Sequence, residues 1–121
     1  MKRSPAEVHQ AVLIAFQNST RQWVPGQDDD PDAIHKSRTR FIASLIAPEV
    51  GNVEVEPHVA ATLSLGPGAI PVWFVTGPAA QRVFLDERTD NFGSAWGPER
   101  STGRYVDLGF RTSDPIDAFL A

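Results

Sequence analysis

Proline follows a helix-capping residue three times in this chain, at Ser4-Pro5, Asp30-Pro31 and Asp114-Pro115. Proline suits the first helical position, where its missing N–H costs nothing and its φ is already helical. A serine or aspartate just before it accepts a bond from a free N–H of the first turn. Ser4-Pro5-Ala6-Glu7 also completes a capping box,. The pattern predicts helices over Pro5–Asn18, Pro31–Ala47 and Pro115–Leu120. Val8, Val12, Ala15 and Phe16 form the buried stripe of the first. Ile34, Phe41, Ile42, Leu45 and Ile46 form that of the second, and Ile116, Phe119 and Leu120 that of the third. Pro48 stops the second helix, because proline disfavours helix in the residue before it. Trp23, in the loop Trp23-Val24-Pro25-Gly26, is expected to cover the edge of the core.

The middle of the chain changes period. Val53 and Val55 alternate with Asn52, Glu54 and Glu56, and Val59, Ala61, Leu63 and Leu65 alternate with His58, Ala60, Thr62 and Ser64. Period two is the mark of a half-buried strand. Gly66-Pro67-Gly68 reads as a turn. Pro71–Val75 is apolar throughout and reads as a central strand covered on both faces. Arg82–Leu85 and Asn91–Trp96 read as a hairpin around Asp86–Asp90, with Gly93 marking a bulge or a close backbone approach. Tyr105–Arg111 alternates with Val106, Leu108 and Phe110 inward. These elements predict one α+β domain over 1–121: two N-terminal helices packed on a mainly antiparallel sheet of five or six strands, then a short C-terminal helix. A chain of 121 residues, 41 % of them hydrophobic, is long enough to bury a core without a staple,.

Composition narrows the chemistry. The chain has no cysteine, so disulfides, thiolate metal sites and cysteine nucleophiles are excluded, and a reducing, cytoplasmic setting fits. The N-terminus lacks the long apolar run of a secretory signal, and no stretch approaches a membrane span. The net charge of −4 argues against nucleic acid as partner,. No Lys or Arg occurs between Arg40 and Arg82, where Glu49, Glu54 and Glu56 lie, just after Asp28, Asp29, Asp30 and Asp32.

The run Gln27–His35 holds four carboxylates and an imidazole. A calcium loop requires a mid-loop glycine and a downstream bidentate Glu, and zinc requires more His or Cys ligands; neither pattern is met. Asp30 is assigned to capping and Asp32 to the first helical turn, which leaves Asp28 and Asp29 as solvated acidic surface. His9, His35 and His58 are scattered, and no G-x-S-x-G, H-E-x-x-H or P-loop pattern occurs,. The sequence therefore offers no catalytic residue, metal or cofactor. Its most unusual surface stretch is Trp96–Tyr105, an aromatic at each end with Arg100, Arg104 and Glu99 between. That composition is enriched at interfaces.

From Val83-Phe84-Leu85-Asp86 to Leu120 the layout resembles the end of the SUKH-superfamily immunity proteins. Those close with a V-[YF]-x-D strand, further strands and a short helix ending in Phe-Leu. The matching pieces are "VFLDERTDNFGSAW" and "SDPIDAFLA", in the last third of the chain. The family's N-terminal L-P motif has no counterpart, and no site residue carries over.

The resulting expectation is a non-enzymatic protein-binding module. The resemblance adds an immunity role in which acidic surface (Asp28, Asp29, Asp30, Glu54, Glu56) and aromatic anchors occlude a toxin. Partner-contacting residues are expected at Asp28, Asp29, Glu54, Glu56, Trp96, Arg100, Arg104 and Tyr105. Two alternatives stay open. One is a small-molecule or enzymatic domain with a pocket lined by Trp73, Phe74, Phe84, Phe92 and Trp96, with Arg104 or His58 for polarity. The other is a homo-oligomeric mobile-element protein, so a homodimer is also compatible.

Overall fold

The computed structural model describes residues 1–63 and 68–121. Its elements run α1 (Pro5–Gln17), α2 (Ala33–Ser44), β1 (Leu45–Val55), α3 (Pro57–Thr62), β2 (Gly68–Thr76), β3 (Gln81–Asp86), β4 (Asn91–Trp96), β5 (Tyr105–Asp107) and α4 (Pro115–Phe119). The α+β class holds. The sheet has five strands and is closed into a barrel in the order β1-β2-β3-β4-β5, a closure that the sequence pattern does not predict. Four neighbour pairings are antiparallel. The barrel closes through a short parallel contact, Val53 with Tyr105 and Glu54 with Val106.

Closure creates two cores from one sheet. Val53, Val72, Phe74, Phe84 and Ala95 pack inside the barrel, with Val59 and Ala60 of α3 against them. On the outer face, Trp73, Val75, Val83, Leu85 and Phe92 meet Val8 and Val12 of α1, Phe41 of α2, and Ile116 and Ala118 of α4. Strand β3 alternates between the two cores and is therefore buried from Arg82 to Asp86. Strand β2 is likewise buried on both faces from Val72 to Thr76. Two glycines let rings lie close inside the barrel: a Cβ at Gly51 would overlap the Phe74 ring, and one at Gly93 the Phe84 ring. The close approach expected at Gly93 is thus a ring seated on its backbone.

The cap–proline pattern works at two of its three sites. Ser4 and Glu7 form the complete capping box of α1. The chain before it is tied down, since the Lys2 and Arg3 N–H groups both donate to Glu87 at 2.9 Å. Asp114 Oδ1 accepts from Ile116 N at 2.9 Å and starts α4. Its other oxygen accepts from Ser19 Oγ at 2.6 Å, fixing the segment after α1. Asp114→Ala is therefore expected to cost about 1–2 kcal/mol, against less than about 0.5 kcal/mol for the neighbouring exposed Ser113→Ala. Urea denaturation of the two variants checks this; equal costs would contradict the role of the cap.

At Asp30-Pro31 the expectation is corrected. Helix α2 begins at Ala33, and its first flanking residue, Asp32, makes no side-chain cap bond. Asp30 instead accepts from Asp32 N and Lys36 Nζ, each at 2.9 Å. Aspartate readily binds the N–H two residues on, forming a local turn that competes with a helix cap. At its other end α2 stops at Ser44, and the chain passes directly into β1. Pro48 keeps the preceding residues extended, and it sits where the β1–β2 register shifts between Leu45 and Glu49, an irregularity that tolerates a residue without an N–H.

Three further expectations are overturned. The strand expected from Val59 begins instead as helix α3, Pro57–Thr62. Val59, Ala60 and Leu63 share one helical face toward the barrel core, a spacing that competes with period two in so short a segment; Ser64, Leu65 and the turn residues Gly66-Pro67 lie outside the described residues. Strand β5 ends at Asp107, and Asp107 rather than Leu108 is buried. A turn at Gly109, φ +92°, then lets the backbone press against Val59. Last, Ile42 and Trp23 are exposed, Trp23 by 55 %; Trp23 stacks on Arg21 and donates Nε1 to Asp28 at 2.6 Å instead of covering the core.

Candidate functional site

Helix α1 packs on β1 and β2 and α4 on β3 and β4, while the seam from the end of β4 through β5 to the end of β1 carries exposed and half-buried side chains. Register places a row across this seam. Gln81 pairs with Trp96, Trp96 with Val106, Val106 with Glu54, and Glu54 with Ala69. Paired residues share a face of the sheet, so these side chains stand together on the outside. The row begins under cover: Gln81 donates to Ser94 Oγ and to the Ala118 and Ala121 carbonyls beside α4. One strand further on, Trp96 is 49 % exposed. Val106 and Glu54 are half-buried, and Ala69 is exposed.

The loop that presents this row is tight. Glu99 N donates to Arg104 O at 2.9 Å and Gly103 N to Glu99 O at 2.8 Å, with Gly103 at φ +69°. Arg104 Nη1 then reaches Glu54 Oε2 at 3.0 Å across the β1–β5 seam. Both partners are partly exposed, so the pair orients the loop more than it stabilises the fold. Arg100 projects from the loop, exposed and without an ion pair among the described residues.

The sequence-expected contact residues thus separate into three groups. Trp96, Glu54 and Arg104 come together on the seam, and Arg100 is exposed on the loop that carries Arg104. Tyr105 faces the barrel: its ring tilts against Phe74 at 5.6 Å and its hydroxyl donates to Ala79 O at 2.9 Å. Asp28 and Asp29 lie on the loop before α2, outside the seam row, and Glu56 follows β1 two residues beyond Glu54. Asp28 is occupied by Trp23, Asp29 is exposed on the loop before α2, and Glu56 lies 3.5 Å from His58 Nδ1 at the start of α3. The acidic run does not form one continuous patch, because Asp28, Asp30 and Glu54 each bind a local donor. Lys36 and the Asp32 N–H hold the Asp30 carboxyl below its usual range.

The aromatic residues proposed to line a pocket do not share one. Phe74 and Phe84 pack inside the barrel, Trp73 and Phe92 outside it. A cleft of about 520 Å³ beside the end of α1 includes Phe92 but none of the other four, and its polar lining is Asn18, Ser19, Thr20, Asp90, Ser113 and Asp114. His58 and Arg104 line neither this cleft nor the one of about 540 Å³ beside α2.

Two charged groups escape any sequence pattern. One is a cluster at the Asp86 end of β3: Arg111 bonds Asp107 through two nitrogens, 2.8 and 3.1 Å, and Asp86 at 3.2 Å. The other is Arg82, buried at the opposite end of β3 and bonded to Glu49 at 2.8 Å. The loop signal of aromatics with arginines, and the reading of Glu54 as acidic surface, marked the seam in advance.

No helix is long and apolar enough to cross a membrane among the described residues. Comparison with family models, with curated proteins and with solved structures finds no match.

Proposed function

We propose that the protein is a non-enzymatic, cytoplasmic protein-binding module whose partner docks on the β4–β5–β1 seam, with Trp96 as anchor. The observation that carries this reading is a half-exposed tryptophan on a rigid strand, next to Val106 and flanked by an oriented Arg104–Glu54 pair. A flat aromatic on a sheet loses little entropy when covered, and Trp and Arg dominate interface energetics. Glu54 and Arg104 would form the polar rim, and Arg100 would meet acidic groups of the partner. The net charge of −4 would steer a basic partner, affecting association rate more than affinity.

An immunity role, in which the partner is a toxin held inactive by occlusion, deepens the same reading. Its support is the resemblance of the last third of the chain to SUKH-superfamily proteins. Asp86 of the matching "VFLD" serves the buried ion cluster, so it would act in folding rather than in contact.

Affinity purification with the wild-type chain, Trp96→Ala and Trp23→Ala tests the surface. Trp23 is exposed to a similar extent but belongs to the loop between α1 and α2, where it bonds Asp28. The partner bound by wild type and Trp23→Ala is expected to bind Trp96→Ala about 30-fold more weakly or worse, the scale of a 2 kcal/mol hot spot. Unchanged binding by Trp96→Ala would overturn the assignment of the seam. If the purified partner is toxic when expressed alone, co-expression with wild type but not with Trp96→Ala is expected to restore growth.

A further inference from the structure

Arg82 is 6 % exposed, yet its guanidinium is not fully used by the fold. Nε and Nη2 both donate to the Thr76 carbonyl, at 3.1 and 3.0 Å. Thr76 is itself fixed, since its hydroxyl accepts from Val83 N at 2.9 Å. The guanidinium lies over Phe74, 4.1 Å from the ring centroid, and 5.4 Å from that of Tyr105. The remaining edge carries Nη1 and the second hydrogen of Nη2. Glu49 takes only the latter, through Oε1 at 2.8 Å. Among the described residues Nη1 has no hydrogen-bond acceptor within the protein. The Glu49 side chain is 57 % exposed, and Arg82 is its one ion-pair partner among them.

We propose that this edge of Arg82 is a carboxylate-binding site and that Glu49 is its resident, displaceable occupant. A guanidinium edge offers two parallel N–H groups, which match a carboxylate in a bidentate fork. Glu49, held by the irregular stretch of β1, satisfies one of them. An incoming carboxylate, from a small acid or from the end of a peptide, would satisfy both. The cation is already desolvated and oriented by Thr76, Phe74 and Tyr105, so the ordering cost of binding is largely met by the fold. Glu49 would swing into water, where its side chain mostly lies, and an ion pair with one partner exposed resists displacement only weakly. This site goes beyond the seam and does not depend on it, because small carboxylates probe it directly.

The test is a titration followed by NMR at the Arg82 Nε–H and the Tyr105 amide. Acetate is added at constant ionic strength, with chloride as the balancing anion. A competing resident group lowers apparent affinity by the fraction of time the site is open. Glu49→Gln and Glu49→Ala are therefore expected to bind acetate at least about fivefold more tightly than wild type. Glu54→Gln, which removes the same charge at the seam, is expected to leave that affinity unchanged. A capped dipeptide with a free C-terminal carboxylate is expected to bind, tighter than acetate if the site takes chain ends and equally if it takes small acids, whereas its C-terminal amide is not. Arg82→Lys is expected to lose the saturable shifts; should that variant fail to fold, the Glu49 variants decide. Equal affinity in wild type and both Glu49 variants, equal tightening by Glu54→Gln, binding of the amide, or the same shifts with chloride alone would each overturn the proposal.

Discussion

Replacing Arg111 with alanine is expected to cost about 3–5 kcal/mol of stability, the scale of breaking a buried ion pair from one side. Arg111 is the only cation that touches both Asp86 and Asp107 among the described residues, and both carboxylates are almost fully buried. It grips Asp107 with two nitrogens and Asp86 with a third. Gly109 N supports Asp107 at 2.9 Å, but that bond cannot balance a buried negative charge. Asp86 keeps Arg88, which is itself half-exposed. Arg111→Lys retains the charge but not the fork, and is expected to recover part of the loss. A loss below about 1 kcal/mol for Arg111→Ala in urea denaturation would mean that water or Arg88 replaces it.

The pH dependence gives an independent reading of the same cluster. Burial pushes the Asp86 carboxyl up, but the bonds and charge of Arg88 and the charge of Arg111 outweigh it and hold the group below its ordinary range. A carboxyl depressed in the folded state contributes stability above its unfolded pKa, about 3.9, and loses it as pH falls through the folded value. Wild type should therefore weaken below about pH 4. In Arg111→Ala the depression shrinks, so the gap between variant and wild type is expected to be widest at neutral pH and to narrow on acidification. Denaturation midpoints at neutral pH and at about pH 3 check this, and a constant gap would rule out an electrostatic origin.

The same cluster shows why part of the fold was hidden. Asp107 occupies an alternating stretch in which Val106 and Leu108 read as the inward residues, because a lone acid beside apolar neighbours normally faces water. The inversion is stabilised by Arg111, four residues on, and becomes visible only when the Gly109 turn brings the two together. Barrel closure was hidden for a related reason. It rests on two paired positions between β1 and β5, far apart in sequence, and no local pattern encodes them. Caps and the β3–β4 hairpin were legible because their causes are local: Ser4 and Asp114 bind N–H groups two or three residues away. The seam was half legible. Trp96 and Arg104 share one loop, but the Glu54 that orients Arg104 lies fifty residues earlier. Arg82 gave no signal, since it opens an apolar run and its partners Thr76 and Glu49 belong to other strands.

Phe84→Ala is expected to be the other severe change, costing about 3–5 kcal/mol. The ring is fully buried at the middle of the barrel, with Gly93 directly across from it on β4 and the Arg111 guanidinium 5.0 Å from its centroid. Its removal empties the place where strand, glycine and ion cluster meet. Gly93→Ala probes the same contact from the other side. Gly→Ala in a compatible backbone usually stabilises by about 0.4–1 kcal/mol, by restricting the unfolded chain. Here the new methyl would overlap the Phe84 ring and lie 3.0 Å from Arg111 Nη1. Neither neighbour is free to retreat, so overpacking should reverse the sign and cost about 1–3 kcal/mol. If the ring is the obstacle, trimming it makes room: Gly93→Ala in a Phe84→Leu background should cost at least about 0.5 kcal/mol less than in wild type. Strict additivity of the two changes would show that the strand shifts to admit the methyl, and that the glycine is not there to seat the ring.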